Sequence, residues 1–121
     1  MSTRIMVVED HEDNRQILRD LLGSVGYEVI EAWDGETALS MVAAQQPDLI
    51  LMDIQLPGID GYEVTRRIKA DAQQRVIPII AVTSYALSGD DEKAREAGCD
   101  AYVTKPFSPR QLLAKIREYL K

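Results

Sequence analysis

Five short apolar runs alternate with five stretches of helical periodicity, and this alternation restricts the fold more than any other feature of the chain. In chain order, the apolar runs are RIMVV, YEVIEA, DLILM, PIIAV and DAYV. Strands that alternate with helices form a parallel sheet, and the crossover helices cover both of its faces. We therefore predict an α/β fold with a five-stranded parallel sheet and helices on both faces.

The predicted elements differ in how much surface they bury. DLILM and PIIAV are apolar throughout, as central parallel strands are, whereas YEVIEA alternates and suits a half-exposed edge strand. Gly26 ends the first helix, Ser88 opens a fourth helix that runs to Ala97, and Ser108 with Pro109 opens the last. The predicted core-facing residues are Ile17, Leu18, Leu21, Leu22 and Val25 in the first helix, Ala38, Leu39, Val42 and Ala43 in the second, Val64 and Ile68 in the third, and Leu112, Leu113, Ile116 and Leu120 in the last.

Length and charge limit the classes of function. The 121 residues suit one domain, which we assign to residues 1–121. Fourteen basic and 20 acidic residues give a net charge of −6, so we expect no direct binding to nucleic acid. Cys99 is the only cysteine, the N-terminus lacks a signal-peptide pattern, and no apolar run reaches membrane-spanning length. These features predict a cytoplasmic protein.

Polar residues follow the predicted strands at the ends where ligands bind in open α/β sheets. Glu9 and Asp10 follow the first strand, Asp53 follows the third, Thr83 ends the fourth and Lys105 follows the last. If the first and third strands are neighbours, three carboxylates converge, and their repulsion must be offset. Mg²⁺ offsets such charge through oxygen ligands, and an aspartate beside it can act as a nucleophile and form an acyl phosphate.

Other phosphate-binding and catalytic motifs do not occur in the sequence. EDHEDN follows the first strand where a dinucleotide-binding protein has G-x-G-x-x-G, and neither a P-loop nor a G-x-S-x-G nucleophile elbow is present. His11 is interpreted as a solvated residue at the start of a helix, and Cys99 as a small buried apolar side chain.

The strand-end residues resemble those of a known family. Glu9-Asp10, Asp53 with the LPGIDG that follows it, Thr83 and Lys105-Pro106 are similar in type and order to the receiver domains of bacterial response regulators, the CheY-like fold. Within this family, DLILMDIQLPGIDGYEVT and GCDAYVTKPF most resemble single-domain regulators of the DivK type. The resemblance implies a flavodoxin-like (βα)₅ sheet of strand order 2-1-3-4-5 and a cis peptide at Lys105-Pro106.

The resemblance also implies a magnesium site. Asp10 is expected to coordinate Mg²⁺ directly and Glu9 to hold it through water, while Asp53 and the carbonyl of Gln55 complete the coordination. Glu9 is a departure, because many members of the family have aspartate there, and the extra methylene moves the carboxylate.

The implied activity is that of a signalling switch. Asp53 is expected to accept a phosphoryl group that Thr83 and Lys105 contact, after which Tyr102 changes rotamer together with Thr83. The implied partners are a histidine kinase or histidine phosphotransfer protein and a downstream protein target. We do not expect the chain to be a turnover enzyme, although the resemblance implies that it assists its own phosphorylation and slow dephosphorylation. It is expected to be a monomer or a weak phosphorylation-dependent dimer.

Two further expectations concern the partners. Asn14, Arg15 and Leu18 follow the acidic pair and are predicted to form the docking surface for the phosphodonor. The sequence ends soon after the fifth helix, so the effect is expected to pass through a separate target that reads the fourth helix, the last strand and the fifth helix.

Two alternative functions compete with the switch. A phosphatase of the haloacid dehalogenase type also has a strand-end aspartate, but it needs a second aspartate two positions later, where Gln55 stands. A pseudo-receiver that never takes phosphate would not need the acidic residues, Thr83 and Lys105 together. Phosphate release from small phosphoesters would separate the first alternative, and labelling by acetyl phosphate the second.

Overall fold

The computed structural model describes residues 3–83 and 90–120, in which five strands and five helices alternate as predicted. The elements are β1 Arg4–Val8, α1 Glu12–Ser24, β2 Glu28–Ala32, α2 Gly35–Gln45, β3 Leu49–Asp53, α3 Gly61–Ala70, β4 Ile79–Thr83, α4 Asp90–Ala97, β5 Ala101–Thr104 and α5 Pro109–Tyr119. The predicted cap at Ser88 lies outside the described residues. Within the described ranges, no helix combines the length and apolar character needed to cross a membrane.

All the strands pair in parallel, in the order β2-β1-β3-β4-β5, and this confirms the flavodoxin-like order implied by the family resemblance. Every residue of β3 and β4 is buried, as their continuous apolar sequences predict. The alternating β2 is an edge strand, half-exposed as predicted. The strands β3 and β4 therefore form a fully buried part of the sheet interior.

Helices cover both faces of the sheet, and each face has its own apolar core. Residues of α1 and α5, among them Leu18, Leu22, Leu112 and Ile116, pack on one face. Residues of α2, α3 and α4, among them Ala38, Val42, Val64, Ile68 and Ala94, pack on the other. The predicted layered α/β architecture is confirmed.

The prediction that Ile17, Val25 and Ala43 face the core is wrong. Ile17 is 60% exposed and Val25 is 45% exposed, and Ala43 is exposed as well. Helix α1 turns its Leu18–Leu22 line toward the sheet, so Ile17 is carried about 100° round the helix from Leu18 toward solvent. The helix also ends at Ser24, two residues before the predicted end, and Gly26 forms the following turn with a φ of +92°.

Side-chain caps mark the starts of α3 and α5. The Asp60 carboxylate accepts a hydrogen bond from the Glu63 N–H at 2.9 Å at the start of α3. Ser108 caps α5 and Pro109 occupies its first turn, as predicted. The start of α3 is thereby fixed eight residues after Asp53, next to the end of β3.

Candidate functional site

The strand register brings the predicted acidic residues together. Val8 at the end of β1 is paired with Met52 of β3, so the residues that follow, Glu9 and Asp53, are neighbours. Asp53 is paired in turn with Val82 of β4, the residue before Thr83. Glu9, Asp53 and Thr83 are 2%, 5% and 2% exposed, so buried polar groups gather at the carboxyl edge of an otherwise apolar sheet. Such burial is costly unless the groups are paired or bind a charged ligand.

Lys105 supplies a positive charge to this edge. Its Nζ atom lies 2.7 Å from Oε1 of Glu9 and 3.6 Å from Oδ2 of Asp53. The Lys105 N–H donates to the Thr83 carbonyl at 2.6 Å, and the Lys105-Pro106 peptide is cis, as the resemblance implied. Lys105 thus bridges both buried carboxylates and is nearer to Glu9 than to Asp53.

Glu9 is held by several donors in addition to Lys105. Its Oε2 accepts a hydrogen bond from the His11 N–H at 3.1 Å, and its Oε1 accepts one from Nδ2 of Asn14 at 3.3 Å. The sequence interpretation assigned Asn14 only to a docking surface. A signal was available, because a side chain in the first turn of a helix lies close to the residues just before that helix.

The pKa values of the two buried carboxyls are shifted in opposite directions. Burial raises the pKa of Asp53 to about 6; the Gln55 N–H, which donates to Oδ1 at 3.0 Å, opposes this shift, and the adjacent Glu9 adds to it. Burial alone would raise the pKa of Glu9 too, but hydrogen bonds from Lys105 and the His11 N–H outweigh burial and lower it. Glu9 is therefore the more readily ionised of the two buried carboxyls.

Asp10 has the features of a direct metal ligand. Its Oδ1 atom is shielded from solvent and accepts no hydrogen bond within residues 3–83 and 90–120, although it lies 3.1 Å from Nδ1 of His11. Ligand atoms of Glu9, Asp10 and His11 lie within 4.8 Å of one another. A buried carboxylate oxygen without a donor beside a second carboxylate fits a hard divalent cation. His11, interpreted as solvated, is indeed exposed, but its ring lies against both acids.

Gly61, the glycine that closes the LPGIDG segment, lies where α3 approaches the end of β3 closely. Its N–H donates to the Ile54 carbonyl at 3.0 Å, which places the first residue of α3 directly against the end of β3. A Cβ atom at this position would lie 2.4 Å from the Asp53 carbonyl oxygen and 2.8 Å from Cα of Ile54. Only glycine fits this close approach, so the glycine helps to set the position of Asp53.

Thr83 and Tyr102 share one side of the sheet. Tyr102 is paired with Ala81, and Thr83 lies two residues after Ala81 in the same strand. Side chains two residues apart in a strand lie on the same face. Ala81 and Tyr102 belong to the core beneath α2, α3 and α4, and Thr83 lies on that side by alternation. The predicted switch residues therefore lie on a common face, next to α4.

Comparisons with known proteins agree on one family. A model of the response regulator receiver domain matches residues 5–117. The chain is 47% identical to the polar-differentiation response regulator DivK of Brucella ovis over 120 residues, which cover 99% of this chain and 98% of that protein.

Solved structures lead to the same family. The receiver domain of a sensor histidine kinase from Pseudomonas aeruginosa, with a magnesium ion coordinated in its active-site cleft, is 38% identical with a TM-score of 0.92, and the match covers 99% of this chain and 98% of that one. A CheY-like receiver domain protein from Methanospirillum hungatei is 32% identical with a TM-score of 0.92, over 99% and 94% of the two chains.

Proposed function

The chain belongs to the response regulator receiver domain family, whose members are phosphorylation-dependent switches of two-component systems, and on that premise we propose that Asp53 is its phosphoacceptor. The observation that carries this proposal is one buried carboxyl, Asp53, beside an ionised Glu9 and 3.6 Å from the Lys105 ammonium. The 47% identity to the response regulator DivK of Brucella ovis agrees with the resemblance to DivK-type regulators that the sequence motifs indicated. We propose that the receiver domain extends over residues 1–121.

The chain's own groups supply nucleophile and charge. An oxygen of the Asp53 carboxylate attacks the phosphorus of the donor, and an O–P bond forms. The P–N bond of a protonated phosphohistidine donor breaks at the same time and its electron pair stays on that nitrogen, so the imidazole leaves neutral with its proton on the other ring nitrogen. Lys105 and the Thr83 hydroxyl hold the phosphoryl oxygens, and burial of Asp53 and Glu9 excludes bulk water. In slow dephosphorylation, water attacks the phosphorus, the bond between the Asp53 oxygen and phosphorus breaks, and inorganic phosphate leaves while the Asp53 carboxylate is restored.

Magnesium would be held by Asp10, Asp53, the Gln55 carbonyl and, through water, Glu9. When bound, Mg²⁺ offsets the negative charge of the carboxylates and the incoming phosphoryl group. The orphaned Asp10 Oδ1 supports this arrangement, as does the magnesium ion in the related receiver domain from Pseudomonas aeruginosa.

The division of roles between the two adjacent acids gives a testable prediction. Asp10→Asn should weaken Mg²⁺ binding about tenfold more than Glu9→Gln, because loss of a direct ligand costs more than loss of a group that acts through water. Calorimetric titration of the purified variants with MgCl₂ measures both affinities. Asp13→Asn, which changes an exposed carboxylate in the first turn of α1, is the control and should bind like wild type. Equal losses for the two site variants would contradict the assignment.

Labelling by acetyl phosphate tests the proposed function. Wild-type protein incubated with acetyl phosphate and Mg²⁺ should acquire one phosphoryl group that hydroxylamine removes, and should release no phosphate from p-nitrophenyl phosphate above background. An absence of label would favour the pseudo-receiver. Rapid turnover of the ester would favour the phosphatase, although Gln55 occupies the position of its general acid.

We propose that the signal leaves through Thr83 and Tyr102. A phosphoryl group on Asp53 gives the Thr83 hydroxyl a strong acceptor, and movement of that hydroxyl leaves space on the face that Tyr102 shares. Inward rotation of the Tyr102 ring would then change the surface of β5 and α4. A target shifts the equilibrium only by its differential affinity for the two states.

The Thr83–Tyr102 route gives a second testable prediction. Thr83→Ala should still accept phosphate but should lose the amide NMR shifts of α4 and β5 that beryllofluoride, a phosphoryl mimic, produces in wild type. Target binding should lose its phosphorylation dependence, worth about 1–3 kcal/mol. Thr65→Ala removes a buried threonine of α3 that accepts a hydrogen bond from Cys99, so it is a matched control and should keep the response. A full wild-type pattern in Thr83→Ala would rule the route out.

We propose that a histidine kinase or phosphotransfer protein docks beside α1. The predicted surface needs correction, because Leu18 is 5% exposed and the Arg15 side chain only 13%. Ile17, 60% exposed, instead lines an open groove that also includes Asn14, Phe107, Pro109 and Lys105. The groove leads to the site edge, as approach of a donor histidine to Asp53 requires.

We propose that the protein is cytoplasmic and acts on a downstream protein target, as a monomer or a weak phosphorylation-dependent dimer. The single cysteine, Cys99, is buried and free, which suits a reducing compartment. The net charge of −6 supports a protein target in preference to nucleic acid.

A further inference from the structure

Four charged side chains form a closed ring of ion pairs between α1 and β2. Arg15 pairs with Glu12 at 2.6 Å and with Glu31 at 3.3 Å, and Arg19 pairs with the same two carboxylates at 2.9 and 3.3 Å. The exposed fractions of the side chains are 13% for Arg15, 27% for Glu31, 39% for Arg19 and 60% for Glu12. The two arginines therefore have the same partners, but Arg15 is the more deeply buried.

Arg15 makes one contact that Arg19 does not make. Its Nη1 atom donates to the backbone carbonyl oxygen of Glu9 at 2.8 Å. This carbonyl belongs to the peptide that joins Glu9 to Asp10, one residue beyond the end of β1. The N–H of Glu9 is held on the other side by the Ala32 carbonyl of β2, at 3.0 Å. The guanidinium thus supports, from α1, the segment that carries both acidic residues.

We propose that Arg15 is a positioning residue that fixes the Glu9-Asp10 peptide in the orientation required for binding a divalent cation. A guanidinium is a rigid planar donor, and here its three nitrogens are bound to Glu12, Glu31 and the Glu9 carbonyl, so its own position is fixed. Because Asp10 is attached to that peptide, rotation of the peptide moves the Asp10 carboxylate. The inference rests on the magnesium site of the proposed function.

Affinity for Mg²⁺, measured by calorimetry on the full chain, tests the proposal with a matched pair of variants. Arg15→Gln should bind Mg²⁺ about tenfold more weakly than wild type, as is typical when a group that orients a metal ligand is lost. Arg19→Gln loses the same two ion-pair partners but no contact with Glu9, and should bind within about twofold of wild type. The melting temperature should fall further in Arg15→Gln, because Arg15 is more deeply buried than Arg19 and also donates to the Glu9 carbonyl, so both affinities are measured well below the lower melting temperature. Equal Mg²⁺ affinities for Arg15→Gln and Arg19→Gln would overturn the proposal.

A second measurement does not depend on the metal. A hydrogen bond to a carbonyl affects the amide nitrogen of the same peptide, so the metal-free Arg15→Gln protein should show a displaced Asp10 ¹⁵N resonance, and Arg19→Gln should not. If wild type binds no Mg²⁺, the proposed metal site fails while this displacement still tests the positioning role; an unmoved Asp10 resonance overturns it. If Arg15→Gln does not fold, the conservative pair Arg15→Lys and Arg19→Lys is compared in both measurements, with the same outcomes.

Discussion

Asp53→Asn should abolish labelling by acetyl phosphate, because an amide is not a nucleophile toward phosphorus under these conditions and no other carboxyl in the described part of the chain shares its setting. Asp53 is buried, lies 3.6 Å from the Lys105 ammonium and receives the Gln55 N–H. Glu9 is equally buried, but its oxygens already accept hydrogen bonds from Lys105, Asn14 and the His11 N–H. Borohydride trapping followed by mass spectrometry locates the aspartyl phosphate in wild type and measures its loss in the variant.

The Asp53→Asn protein should be folded and at least as stable as wild type. The neutral amide removes the repulsion with Glu9, and its oxygen can still accept the Gln55 N–H. Urea unfolding of the variant checks this expectation. Asp20→Asn, at an exposed position of α1, is the control and should label normally. Label that persists at the wild-type level in Asp53→Asn would place the phosphoacceptor elsewhere.

Gly61→Ala should cost about 3 kcal/mol of unfolding free energy, at the upper end of the range for overpacked sites. The added methyl group would lie 2.4 Å from the Asp53 carbonyl oxygen and 2.8 Å from Cα of Ile54, and backbone atoms cannot rotate out of the way. Relief of this overlap requires α3 to move away from β3, which also displaces Asp53. The rate of labelling by acetyl phosphate should therefore fall at temperatures where the variant is still folded.

Gly23→Ala is the matched control for Gly61→Ala. Gly23 lies within α1, and an added Cβ there meets no atom within 4 Å. This change should raise stability by about 0.5–1 kcal/mol, because alanine favours the helix over glycine. Urea titrations of both variants give the comparison. A stability for Gly61→Ala within 1 kcal/mol of wild type would show that the contact between α3 and β3 relaxes easily.

Periodicity and strand ends predicted most of the architecture. Period-two and continuous apolar runs identified all five strands, and the residues that follow them identified Glu9, Asp10, Asp53, Thr83 and Lys105. The site followed because parallel strands end at the same edge of a sheet. The strand order did not follow from periodicity, since an apolar run does not say which other run lies beside it. That order came from the family resemblance, and the register of β1 and β3 confirmed it.

The positions of long side chains were the hardest to predict. Contact between Lys105 and a phosphoryl group at Asp53 stays a prediction; the Lys105 ammonium lies 3.6 Å from Asp53 and 2.7 Å from Glu9, a contact that the sequence did not predict. Arg15 was expected on a docking surface, but its guanidinium folds back onto Glu12, Glu31 and the Glu9 carbonyl. Sequence position fixes a Cα atom, whereas the several rotatable bonds beyond it are decided by whichever charges tertiary packing brings near.

The separation of the apolar cores on the two faces of the sheet has a consequence for the order in which partners bind. The groove that includes Ile17 and Phe107 belongs to the side of α1 and α5, whereas Thr83 and Tyr102 lie on the side of α3 and α4. A donor in this groove and a target on the surface of α4 and β5 would contact opposite faces of the sheet. A ternary complex is then allowed, in which the target is already bound when Asp53 receives its phosphoryl group.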